Sequence, residues 1–447
     1  MTNPSSASST DTTRVHGIDD DHDVDRVHEV DVVVVGAGPG GGVLADLLAR
    51  SGVSVALLER GATFEREFRG FAFQPSAVRI LDEMDLLDAV RDLSHEELDS
   101  LSVDAYGRHY DVTEFDGLPG EYDFGLLLEQ PHLLEVLFDS AASHGTDCRL
   151  ATTVVDLLGD ESEVRGVVAH DRGANETVAY RARVVVGADG RYSTVRDAVG
   201  IDAGLFDSHL DVLWFKLNAD VAHDSIATIT EHGIVLGIRL GEQLQVGYVL
   251  ERGGYDDLKS AGIDDFRARV AAIDPQLRVA LERDLTDFGD CSLLHIGPGL
   301  APEWTRDGLV LLGDAAHVAS PVGGQGNALA MQDAAALHGV LCRVLRDDDG
   351  GDGSDGDDTG PLPASAFQPY VDRRRPAVKT ILRFQRRAER LLTWLVHNRD
   401  DIPVPLQRLG ARLLFSLATT SPVSNSLRET VALGPDPVAV EQWLFGE

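Results

Sequence analysis

Three glycine-rich segments, in one order, limit what this chain can fold into: GAGPGG at 36–41, GADGRYSTVR at 187–196 and GDAAHVASPVGGQGNALAMQDA at 313–334. The first directly follows DVVVV at 31–35, a β-branched run suited to a strand buried on both faces. A helical stretch at 40–50 and a second strand, SVALLE at 54–59, complete a βαβ unit that opens a parallel sheet. In that setting Gly36 permits the tight turn, Gly38 lets backbone approach a diphosphate, and Gly41 lets the helix pack closely on the strand. Pro39 and Gly40 complete the loop, and the helix start faces the phosphate charge. Glu59 ends the second strand, where a carboxylate accepts from an adenosine ribose, and Arg60 follows it. These residues predict a dinucleotide site without choosing between FAD and NAD.

The third segment makes that choice. GLVLLGD places Gly313 and Asp314 at the end of a buried strand, with Asp314 positioned to accept from a ribityl hydroxyl. PVGGQGN then leads into a helix near 327–346. Free N–H groups at that helix start, around Gly324, Gly326, Asn327 and Ala328, suit negative charge on the N1–C2=O2 edge of a flavin. A fold for a mononucleotide alone has no use for this second anion site, so the expected cofactor is FAD. In the middle segment Asp189 and Gly190 form the core, and Arg191 and Arg196 read either as partners or as surface charges.

The remaining pattern predicts an α/β chain: a Rossmann-like, glutathione-reductase-type FAD-binding domain with an inserted antiparallel β-sheet substrate domain and a helical C-terminal arm. Continuous apolar strands at 182–187 and 307–313 and a helix at 131–144 belong to the first, with a small β-meander between 152 and 181. Period-two alternation at 101–116 and 211–250 marks the inserted sheet. The boundaries read as an acidic tail at 1–27, a discontinuous FAD-binding domain at 28–100, 125–200 and 290–346, a substrate domain at 101–124 and 201–289, an acidic loop at 347–360 and a helical region at 361–447. Trp214 and Tyr248, in alternating strands, are candidates to line a substrate pocket. His317 reads as structural or as a flavin neighbour. A basic run from Arg373 to Arg390 at near-helical spacing reads as an ion-paired helix on acidic neighbours, or as a docking face for a phosphorylated or acidic partner. No metal-ligand set is read from the sequence; the histidines at 16, 22 and 28 belong to the tail and its border.

On these residues the chain resembles the group A flavoprotein monooxygenases of the aromatic (p-hydroxybenzoate) hydroxylase type. The resemblance covers roughly 28–345 and includes EREFRGFAFQPSAVRILDEMDLL at 65–87, LEQPHLLEVL at 128–137 and DVLWFKL at 211–217, in family order. It implies non-covalent FAD, NADPH or NADH as electron donor, and O2 passed through a flavin C4a-hydroperoxide to an aromatic or similar small organic substrate. It implies that Arg69 contacts the FAD diphosphate, as an arginine fork is suited to do, and that Gln130 lies at the ribityl or diphosphate region. It also places Pro321 beside the flavin ring, with a carbonyl that can order protons near bound substrate; this is its sole catalytic assignment. Family members read G-x-G-(Ile/Leu)-Asn-Leu, whereas this chain reads Gly324-Gln325-Gly326-Asn327-Ala328-Leu329. The asparagine is displaced by one position, which puts the side-chain cap of that helix in question. The rival reading is a geranylgeranyl-reductase-like enzyme that saturates isoprenoid double bonds, and its aromatic signature segment is not found here.

Charge narrows the partners. Seventy-four acidic residues oppose 39 basic ones, formally −35, which argues against nucleic-acid or anionic-membrane partners. No apolar run of membrane-spanning length is read, and the odd, unpaired cysteines suggest a reducing cytoplasm. The oligomeric state is not set, and a homodimer stays open. Only Lys216, Lys259 and Lys379 carry ammonium groups, a lysine-poor acidity that suits a halophile's salt-rich cytoplasm, where the screening length falls to about 3 Å. The unfolding midpoint is therefore expected to rise from about 0.1 M to about 3 M KCl. A flat or falling midpoint in scanning calorimetry refutes a salt-adapted surface.

Overall fold

Valine dominates the centre of the nucleotide fold. Val32, Val33 and Val34 have no exposed surface, because their strand, Arg26–Val35, is flanked on both edges and covered on both faces. The computed structural model describes residues 24–65, 72–219, 225–349, 360–398, 401–420 and 422–446. Arg26–Val35 pairs in parallel with Val55–Leu58 on one side and Glu176–Gly187 on the other, with Val32 opposite Val55 and Val184. Asp147–Arg149 and Leu309–Leu311 extend this parallel core, so the strands that lead into all three glycine segments end side by side. The hairpin Thr152–Gly159 and Val164–Asp171 pairs antiparallel with the early part of Glu176–Gly187, the expected meander.

Both ends of this part differ from the sequence boundaries. Asp25 to Val27 belong to the sheet and not to a tail, since Asp25 N–H donates to Thr177 at 2.8 Å and Arg26 stands opposite Val178. The helix after the third glycine segment runs from Gly326 to Asp349, three residues past 346. Its Gly326–Arg346 stretch is long and apolar enough to span a membrane, which the sequence reading does not detect, but 83% of that window is buried in the protein core.

The inserted sheet has seven strands, in the order Ser292–His295, Leu210–Leu217, Gln243–Glu251, Gly233–Leu240, Ala227–Thr230, Ser100–Ala105 and Arg108–Glu114. It is not wholly antiparallel: Ala227–Thr230 pairs in parallel with Ser100–Ala105, because a long excursion separates them and no hairpin constrains their direction. Ser292–His295 lies beyond the 290 boundary yet belongs to this sheet. Leu210–Leu217 is buried on both faces apart from Lys216. Short helices, Tyr255–Ala261, Ile263–Ile273 and Arg278–Asp284, cover one face and bury Leu213, Phe215 and Tyr248 against Phe266. The long helix Gln368–Asn398 lies over the other, touching it through Leu392 and Val396.

Helices Val404–Thr420 and Pro422–Ala432 follow, but the chain is not helical to its end. Gly434 at φ +88° with Pro435 and Pro437 breaks the pattern. The segment beyond runs back across the nucleotide fold: Val440 N–H donates to Glu83 at 2.6 Å, Arg343 pairs with Glu441, and Gly446 N–H donates to the Arg50 carbonyl.

Under that segment His338 is fully buried, and its Nε2 shares a 2.8 Å hydrogen bond with Ser51 Oγ. Burial, reinforced by Arg346 and Arg343, pushes its pKa down to about 4. The unfolded chain takes up a proton near 6.5 and the folded one does not until about 4, so stability falls as pH drops through that window. The loss should approach roughly 3 kcal/mol. Denaturant titrations at fixed KCl between pH 7 and 4.5 should show it for the parent and not for His338→Gln; identical slopes in both count against it.

Candidate active site

The first glycine segment is fixed by contacts that leave it no other residue type. Gly36 has φ +102°, and a Cβ there would lie 2.6 Å from the Ala188 carbonyl oxygen. A Cβ on Gly41 would lie 2.0 Å from the Gly36 oxygen, and one on Gly40 2.4 Å from Leu312. Gly38 differs, since a Cβ there meets nothing within 4 Å. It opens the helix Pro39–Arg50, which has no side-chain cap, so uncapped N–H groups face open space where a diphosphate would lie. Glu59 is buried and accepts from Ala37 N–H at 3.1 Å and Gly61 N–H at 2.8 Å, which sets its carboxylate against the loop. Arg60 is exposed beside it. Arg69 lies outside the described residues.

The middle segment is braced against the other two. Ala188 N–H donates to the Val35 carbonyl at 2.9 Å. Asp189 accepts from Val195 N–H, burial pushes its carboxyl up, and its Oδ1 is buried without a partner. Gly190 has φ +88°. Arg196 is neither a surface charge nor a cofactor contact in this arrangement: its buried guanidinium donates to the Ala315 and Arg191 carbonyls and pairs with Asp197, so it is a strut to the third segment. Arg191 reaches the His295 carbonyl.

The third segment rests on a buried ionic cluster. Gly313 takes φ +58°, and its N–H donates to Asp333 at 3.3 Å. The same carboxylate meets His317 Nε2 at 2.5 Å and Arg374 at 2.7 Å. Burial raises the Asp333 carboxyl, but His317 and Arg374 outweigh it and hold the group below the ordinary range. His317 thereby has a structural role, its ring tilted against Trp304 and its Nε2 tied to Asp333. Asp314 stands half-buried beside this cluster.

Beyond it, Gln385 grips the Ser320–Val322 backbone from the long helix: its side chain accepts from Ser320 N–H and donates to the Ser320 and Val322 carbonyls. The Pro321 carbonyl accepts from Gly324 N–H at 3.0 Å, closing a turn in which Gly323 and Gly324 both have positive φ. Gln74 donates to the Gly323 carbonyl at 3.0 Å, and its Oε1 is buried without a partner. At Gly326 a Cβ would meet nothing, so the second helix start also faces open space. Asn327 explains the displaced asparagine: its side chain donates to the Ala72 carbonyl and accepts from Gln130, tying three segments together. Gln130 is buried next to that helix start, and Ala328 contributes backbone alone. Two open helix starts and two orphaned acceptors, Asp189 Oδ1 and Gln74 Oε1, fit a dinucleotide flavin laid from Gly38 to Gly326.

The two substrate candidates do not share a surface. Trp214 stands opposite Gly247 and Tyr248 opposite Leu213, so their side chains leave opposite faces of the sheet. Tyr248 packs edge-on to Phe266 at 5.4 Å in the helix-covered core, which removes it as pocket lining. Trp214 lies on the face reached by Leu392 and Val396. Leu392 is seven residues, about 10 Å along a helix, from Gln385 at the Pro321 turn. Sequence reasoning missed Gln74, Asp333 and Gln385, and read Arg374 only as one member of an ion-paired basic run, as its pairing with Asp333 bears out. The phrase FAFQPS at 71–76 held a signal for Gln74; nothing local marks Asp333 or Gln385.

A family model described as an FAD binding domain matches residues 29–356. The chain is 35% identical over 422 residues to a 6-methylpretetramide 4-monooxygenase of Streptomyces rimosus, covering 93% of this chain and 95% of that one. It is 26% identical over 367 residues to a rifampicin monooxygenase of Rhodococcus hoagii, covering 79% and 69%. Among solved structures, p-nitrophenol 4-monooxygenase of Pseudomonas putida shares the fold, with a TM-score of 0.70 at 21% identity over 91% of this chain and 99% of that one.

The cradle predicts its own failure modes. Acid precipitation should release yellow FAD into the supernatant, and Gly38→Val should purify colourless because a branched side chain fills the diphosphate space. Asp314→Ala should weaken retention by about 1–3 kcal/mol. Flavin that stays in the pellet, or FMN in place of FAD by chromatography, contradicts this.

Proposed function

The chain belongs to the FAD-binding family of flavin-dependent monooxygenases, and from that premise we propose that it hydroxylates an electron-rich aromatic ring. The observation that carries the reading is the alignment of the second open helix start, at Gly326, with a Pro321–Gly324 turn clamped by Gln74 and Gln385. Near-full-length similarity to a protein named 6-methylpretetramide 4-monooxygenase supports it, over reduction of an isoprenoid.

Bound FAD, reduced by NADPH or NADH, would supply the electrons that activate O2. The balance is one NAD(P)H, one proton, one O2 and one aromatic C–H giving NAD(P)+, water and a phenol. The chain's part is binding, orientation and charge. Gly36 to Gly41 and the Pro39–Arg50 helix start would hold the diphosphate, Glu59 the ribose and Asp314 the ribityl chain. N–H groups around Asn327 and Ala328 would favour negative charge at the ring edge. The Pro321 carbonyl, with one lone pair committed to Gly324, offers the other to a proton near the substrate. The Trp214 face of the seven-stranded sheet would close the site from water. All three cysteines are free thiols, which supports a reducing, cytoplasmic setting.

The test is a screen of phenols and polycyclic phenols for ligand-stimulated NAD(P)H oxidation, followed by reaction under 18O2. One labelled oxygen in the product is expected. Unlabelled product, with electrons passing anaerobically to an isoprenoid double bond, replaces this reading with a reductase.

A further inference from the structure

The charge of the chain is segregated. Residues 373–420 hold eleven Lys and Arg against three Asp and Glu, while the rest holds 28 against 71. Part of this positive charge is spent internally: Arg373 pairs with Asp436, Arg374 with Asp333, and Arg386 covers the Phe206 ring. Lys379, Arg383, Arg387 and Arg390 are exposed and make no ion pair among the described residues. Their spacing of three and four places them on one helix face, and that face continues into Trp394, 52% exposed. On the following helix, Leu406, Leu409 and Leu413 recur at the same spacing and are 58%, 53% and 56% exposed. The opposite sides of both helices are committed: Leu392, Val396, Ala411 and Phe415 pack into one core cluster with Ile229 and Ile234. The outer faces therefore look away from the same side of the molecule.

We propose that this pair of helices docks the protein, peripherally, on the surface of an anionic lipid bilayer. A tryptophan and leucines at helical spacing, flanked by arginines, is the composition of a helix that lies in the interface plane. Leucine and Trp394 enter the acyl boundary while the arginines meet phosphate. A second copy is a poorer fit, since face-to-face pairing opposes two basic surfaces and face-to-body pairing leaves the leucines against acidic residues. The acidic remainder is repelled from headgroups, which fixes the orientation. The whole-chain charge argument against membranes fails here because it averages over this segregation. At molar salt the ionic share is screened and the apolar share persists.

Flotation of FAD-loaded protein with vesicles of 7:3 phosphatidylcholine to phosphatidylglycerol, and of phosphatidylcholine alone, tests the proposal at low and molar KCl. At low KCl the anionic vesicles should carry at least tenfold more protein. The triple change Trp394→Ser, Leu406→Ser, Leu409→Ser should cut binding at least tenfold at both salts. The triple change Arg383→Glu, Arg387→Glu, Arg390→Glu should abolish the preference for anionic vesicles at low KCl. Retained FAD absorbance and far-UV dichroism show that each variant is folded. Parent protein that floats with neither vesicle overturns the proposal, as does unchanged binding of folded variants. So does a dimer, seen by light scattering, that the serine variant dissociates while the parent stays off vesicles.

Discussion

Asp333 has no exposed surface, and three parts of the chain meet on it: the Gly313 N–H, His317 and Arg374. Removing two full charges from water is costly, and the attraction between them is recovered only with good geometry and every remaining hydrogen-bonding site engaged. Here Arg374 also donates to Gln332, and Gln332 to Ser76 beside the Gln74 turn, but Arg374 Nη2 and His317 Nδ1 are buried without a partner, so the condition is met only in part. The cluster therefore connects the strand end that carries Asp314, the helix that starts at Gly326, and the long helix that carries Gln385. Each of these contributes to the proposed flavin cradle, and the cluster holds them in one arrangement.

The parts of the site that the sequence reveals are those where backbone approaches backbone. Gly36, Gly40 and Gly41 are demanded by neighbours a few ångström away, and such demands leave a short, spaced signature. The strand runs are equally legible because burial on both faces removes the polar residues. Facing is harder to read. Period-two alternation located Leu210–Leu217 and Gln243–Glu251, but did not reveal that helices cover one side, and so could not separate Trp214 from Tyr248. Asp333, Arg374 and Gln385 act over sequence separations of dozens of residues, and an isolated Asp or Gln in a helix looks like a solvated one.

Charge was legible in total and illegible in distribution. The value of −35 describes the average surface, but a helix pair that gathers its positive charge on one side presents another chemistry locally. The arginine run itself divides, inward at Arg374 and outward at Arg383, within three turns of one helix. Only the packing of that helix on the sheet distinguishes the two.

The return of the final segment across the first helix has a consequence in time. Gly446 closes on Arg50 and Gln442 on Glu83, about 400 residues after the βαβ unit leaves the ribosome. At roughly 5–20 residues per second that interval is on the order of 20–80 s. For most of it the opening strands lack the Gly326–Asp349 helix, and to its end they lack the segment that covers that helix, so Pro39–Arg50 is the layer available to their valines from the start. The Gly36–Gly41 loop is made about 270 residues before the Gly313–Gly326 segment that faces it, so the proposed cradle is complete only after that segment has emerged.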